Sequence, residues 1–149
     1  MRQLIAAVLL LLGLSLPARA DELIMARVTR SFPEAMNSLQ EAIREHGYTI
    51  SRVQRVDVGL TSSGFQTAEY RVVFFGKPDE IHALSGHYPE LIPYLPLNIV
   101  IFAEGDDTLI LTTNPHKLAD FFTKPELRAR FSQWEKDVRA IFDEVARSP

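Results

Sequence analysis

Residues 70–76 read Tyr70-Arg-Val-Val-Phe-Phe75-Gly76, residues 97–103 read Leu97-Asn-Ile-Val-Ile-Phe-Ala103, and residues 108–113 read Thr108-Leu-Ile-Leu-Thr-Thr113. Runs this rich in β-branched and aromatic residues predict strands, and Glu104-Gly105-Asp106-Asp107 between the last two predicts a tight turn. Together they form the middle of a sheet. Val72 to Phe75 and Ile99 to Ala103 are apolar at consecutive positions, so both faces of these strands are apolar.

Working outward, the gap between the first two runs holds Gly76-Lys77-Pro78-Asp79-Glu80, which ends a strand and opens a helix with Pro78 in its first turn. Ile81 and Leu84 would face inward, and Gly86 would close it. His87 to Pro96 then carries Pro89, Pro93 and Pro96, so it predicts an ordered connector rather than a strand or a long helix. After the hairpin, Asn114-Pro115 predicts an N-cap and an N1 proline of a short helix, with Leu118, Phe121 and Phe122 inside.

Upstream, Leu23 to Thr29 reads as a strand. Ser31-Phe32-Pro33-Glu34 is a capping box for a helix through Ala35, Met36, Leu39, Ala42 and Ile43, stopped at Gly47. Tyr48 to Val58 alternates as a strand with a slip between Ile50 and Val53 that suggests a bulge. Residues 59–68 read as a loop. Downstream, Thr123-Lys-Pro-Glu126 repeats the capping box, and Leu127, Phe131, Trp134, Val138, Ile141 and Val145 recur at steps of four and three. That predicts an amphipathic helix of about six turns lying across the sheet.

The order is therefore β-α-β-β-α-β-β-α, an α+β two-layer sandwich with an antiparallel sheet and a long C-terminal helix. Helices on one side leave the other side of the apolar central strands uncovered. That side must meet a second subunit, a ligand, or the proline-rich connector.

Met1-Arg2-Gln3, the apolar run of 13 residues from Leu4 to Leu16, and Ala18-Arg19-Ala20 have the layout of a secretory signal peptide over residues 1–20, too short to span a bilayer. The remaining residues 21–149 read as one domain, with no later membrane span, in a periplasmic or secreted compartment. There is no cysteine, which excludes a lipobox, disulfides and thiol chemistry. Without residues 1–20 the chain has 14 basic and 19 acidic side chains, a net of −5, which opposes nucleic-acid binding.

The strand ending in Phe75-Gly-Lys-Pro78, the Leu95-Pro96-Leu97 before a hydrophobic strand, the acidic hairpin, and Thr113-Asn114-Pro115 with Leu118 resemble the domain of unknown function 302 family over roughly residues 30–122. The resemblance implies the α+β arrangement derived above and brings no activity or cofactor with it.

Chemistry is sparse. No Gly-x-Ser-x-Gly elbow frames Ser62, Ser63 or Ser85, and no zinc, dinucleotide or phosphate-loop motif occurs. Glu104, Asp106 and Asp107 are a solvated hairpin tip or a loose cation site. His82 and His87 are the sharpest candidates, because imidazoles hold haem and transition metals; with Phe75, Tyr88 and Tyr94 they would line a haem-like or aromatic-ligand pocket. Five residues apart on a helix they diverge by about 140°, so they converge only if the chain turns at Gly86. The reading is an oligomeric, non-catalytic binding or accessory domain holding a partner subunit or a small apolar ligand. The rival is a hydrolase using a histidine near residues 82–96.

Overall fold

A computed structural model describes residues 22–147, so residues 1–20, read above as a signal peptide, lie outside the described residues. Five strands, β1 (Leu23–Val28), β2 (Thr49–Arg55), β3 (Tyr70–Gly76), β4 (Leu97–Glu104) and β5 (Asp107–Thr113), form one sheet in the order β1-β5-β4-β3-β2. Every pairing is antiparallel. The α-helices among the described residues are α1 (Phe32–Glu45), α2 (Val56–Ser62), α3 (Pro78–His87) and α4 (Pro125–Arg147), with 3-10 segments at Pro89–Tyr94 and Pro115–Asp120.

Local chemistry sets most boundaries. The Ser31 amide donates to Glu34 Oε2 at 3.2 Å, closing the capping box of α1, and Gly47 at φ 77° turns the chain into β2. In the β4–β5 hairpin Glu104 pairs with Asp107, and Gly105 at φ 62° takes the left-handed position that a two-residue turn needs. The slip in β2 is real: the register against β3 shifts between Ile50 and Arg52.

Because β1 and β2 are opposite edges of the sheet, α1 must carry the chain across its whole width. Fourteen residues make about 21 Å of helix, matching the roughly 19 Å between the outer strands of a five-stranded sheet. α1 and α4 lie together on one face. Ala35, Leu39, Ala42 and Ile43 of α1 and Val138, Ile141, Phe142 and Val145 of α4 bury against Ile24, Val73, Phe75, Ile99, Ile101 and Ile110 of the strands.

α4 is longer than that face. Its 23 residues span about 35 Å, so one end overhangs the strands and needs other apolar partners. Leu127, Phe131 and Trp134 find them in a second cluster with Leu91 of the connector and Ala119, joined by half-buried Leu84, Leu95 and Phe122. Leu91 and Leu95 of the connector are thus spent on α4, and the opposite face of the sheet has no α-helix stacked over it among the described residues.

Three local expectations change. The strand predicted over 48–58 stops at Arg55, and α2 begins where a strand and then a loop were expected. Val56 and Val58 alternate well enough for a strand, but Asp57 at the helix start pairs with Arg71 of β3 and the hydroxyls of Ser62 and Ser63 donate to the Gly59 carbonyl, tying a helical turn. Phe121, expected inside, is 75% exposed. The 3-10 segment ends at Asp120, so only Phe122 turns inward, edge-on to Tyr94 at 5.7 Å and against Phe131. The second capping box does not form: α4 starts at Pro125, and Glu126 accepts from the Tyr88 hydroxyl at 2.8 Å.

Candidate functional site

Alternation along each strand sends one set of side chains to the helices and the other to the bare face. On the bare face β3 presents Val72 and Phe74, β4 Val100 and Phe102, β5 Leu109 and Leu111, and β1 Leu23 and Met25. Register places Val72 beside Val100 and Val100 beside Leu111, while Leu111 is opposite Met25, so the apolar residues are continuous from one strand to the next. Met25 is 63% and Leu23 51% exposed, and the central residues are only half-buried. Tyr70 and Phe102 meet edge-on at 6.0 Å at one end of this face.

At its other end lies a cavity of about 360 Å³. Phe74 and Asn98 form its floor, the connector residues Tyr94 and Leu95 with Leu97 at the start of β4 one wall, and Thr113, Lys117, Leu118 and Phe121 the other. Asn114 builds that second wall. Its buried carboxamide accepts from the His116 amide at 2.9 Å, capping the 3-10 segment, and donates to Glu135 of α4 at 2.9 Å. The Thr113-Asn114-Pro115 motif is thus a structural knot beside the cavity.

The candidates read from sequence do not converge. Phe75 is fully buried, edge-on to Tyr48 at 5.3 Å, and lies on the helix side while its neighbour Phe74 lines the cavity. His82 is exposed over a shallow groove with Thr49 and Ser51. His87 Nδ1 donates to the Ala83 carbonyl of its own helix at 2.8 Å. Tyr88 is a strut: its hydroxyl holds Glu126 and Lys124 Nζ sits 4.4 Å from its ring. The bond to Glu126 raises the Tyr88 pKa; its own backbone amide and then that bond lower the pKa of Glu126. Only Tyr94 reaches the cavity.

At the hairpin, Arg27 pairs with both Glu104 and Asp107. Among the described residues no group of three or more His, Asp or Glu side chains has the arrangement of a metal site. One cluster has the composition of a hydrolytic triad: His116, Ser132 and Glu135. Yet His116 Nδ1 faces both partners, Ser132 Oγ at 3.1 Å and Glu135 Oε2 at 3.9 Å. A base that relays a proton needs the nucleophile on one ring nitrogen and the acid on the other, so this imidazole cannot serve both roles.

The family model described as domain of unknown function DUF302 matches residues 24–145. The match extends past the 30–122 segment legible in the motifs to take in β1 and nearly all of α4. Among solved structures, the chain is similar to a crystal structure of an uncharacterized conserved protein DUF302 from Bacillus stearothermophilus, at 19% identity and a TM-score of 0.75, over 83% of this chain and 97% of that one. No curated protein matches.

Proposed function

The chain belongs to the DUF302 family, and from that premise we propose that it is an exported, non-catalytic binding module that associates with a second copy of itself through the bare face of its sheet. The observation that carries this reading is the unbroken apolar surface from Met25 through Leu111 and Val100 to Val72. Four strands, β1, β5, β4 and β3, about 4.8 Å apart and some seven residues long present roughly 440 Å² in projection, about half of the ~800 Å² that each partner gives a standard interface. A patch of that size is on the scale of the largest that a typical monomer carries, and such patches are often functional. A flat face of this kind meets its own copy about a two-fold axis, each residue serving both sides. Export rests on the layout of residues 1–20.

The test is native mass spectrometry of mature protein beside a Met25→Lys variant. Met25 is exposed on an edge strand, so the variant folds as the wild type does. The expected result is a dimer that falls to monomer in the variant. A wild-type monomer at micromolar concentration, or a variant as dimeric as the wild type, overturns the reading.

A further inference from the structure

The cavity beside the connector has one charged side chain in its lining, Lys117, and no carboxylate. Lys117 is half-buried, and no described residue pairs with its ammonium. The polar groups around it divide into two kinds. The Thr112 hydroxyl is committed to the Asn98 carbonyl at 2.6 Å, and the Asn114 carboxamide is engaged by His116 and Glu135. The Asn98 carboxamide and the Thr113 hydroxyl make no hydrogen bond to a described residue. The remaining lining is apolar, and Phe121 and Tyr94 are large aromatic rings left exposed at its edge.

We propose that this cavity binds a small amphipathic carboxylate, its apolar body between the connector and the 115–121 wall and its anionic group at Lys117. The chemistry of the lining selects this class. A cavity of about 360 Å³ sits at the small end of the roughly 300–1,000 Å³ range of ligand pockets, so the occupant is on the order of ten heavy atoms. A neutral apolar molecule would fill the space but leave the ammonium with water alone. A cation would meet Lys117 with like charge. A carboxylate both neutralises the ammonium and accepts from Asn98 and Thr113, which are donors without a described partner. The site is independent of dimer formation in its chemistry, although Phe74, Asn98 and Thr113 stand at the end of the bare face.

The experiment titrates the mature chain with octanoate, octan-1-ol and octylamine, read by calorimetry and by amide shifts of residues 113–118. Octanoate is expected to bind roughly two- to fivefold tighter than octan-1-ol, within the range of a partly exposed ion pair, with octylamine weakest. Lys117→Gln abolishes the preference and leaves octan-1-ol affinity unchanged; Asn98→Trp, which fills the floor, weakens all three. Equal affinity for octanoate and octylamine, an unaltered preference in Lys117→Gln, or no binding of any probe overturns the proposal. Repeating the octanoate titration on Met25→Lys separates it from the dimer: a monomer that still binds octanoate supports this site alone, and a dimer that does not bind it sinks this site alone.

Discussion

Ile101 and Phe102 are neighbours on β4 and live in different solvents. Ile101 is fully buried under α1 and α4, while Phe102 lies half-buried on the side over which no α-helix is stacked among the described residues. Both are large and apolar, and nothing in the residue type separates them. The difference is parity along the strand, fixed by register: Ile101 stands opposite Arg71 and Ile110, and Phe102 opposite Tyr70 and Leu109. The two faces of one sheet therefore answer different questions. The covered face holds the fold together, and the bare face is apolar beyond what folding requires.

Substitutions sharpen that contrast in proportion to burial. The largest loss is expected under the overhanging end of α4, where Trp134 is 2% exposed and its Nε1 donates to Glu80 at 3.1 Å. Trp134→Ala should cost roughly 3–5 kcal/mol in urea melts, and a loss under about 1 kcal/mol would mean that this end of the helix packs elsewhere. Next comes the pair on β4. Ile101→Ala should cost about 2–5 kcal/mol at any protein concentration. Phe102→Ala should cost less than about 1.5 kcal/mol when the protein is dilute, with a penalty that grows with concentration because a dimer is being lost. Equal, concentration-independent penalties would erase the distinction between the faces.

Much of this was written locally in the chain. Ser31-Phe-Pro-Glu34 and Gly47 bound α1 through their own hydrogen bonds and backbone angles, and the step of four and three from Leu127 to Val145 is a packing stripe wherever the helix lies. The two-sided apolar character of Val72–Phe75 also announced an uncovered face. What local reading misses is decided by tertiary closure. Phe74 and Phe75 are the same residue one step apart, and only register makes one a cavity floor and the other core. Val56 and Val58 suit a strand until Arg71, fourteen residues past Asp57, takes its carboxylate. Lys117 is an unremarkable surface lysine until Phe74 of β3 and Leu97 and Asn98 of β4 are brought to it. The histidines drew attention because imidazole is chemically versatile, yet His87 turns to its own helix and His82 to open surface.

The smallest expected effect tests the rim of the covered face, where Asp57 at the start of α2 meets Arg71, whose guanidinium also lies 5.4 Å over the Phe32 ring. Burial pushes the Asp57 carboxyl up, but the Arg71 hydrogen bond, the Val58 amide and the nearby positive charge together hold it below its ordinary value. A carboxylate whose pKa is lower in the folded chain adds stability above its unfolded pKa of about 3.9 and loses it as pH falls through the folded value. Asp57→Asn removes the charge but keeps the shape, so its melting temperature should sit below wild type at pH 7. The gap should close as pH drops under about 4, where the wild-type carboxyl is itself taking up a proton. Met25→Lys, on the other face, carries no such linkage, and its difference from wild type should not narrow over the same range. If the Asp57→Asn gap stayed constant from pH 7 to pH 3, the pairing with Arg71 would not be what ties α2 to the covered side.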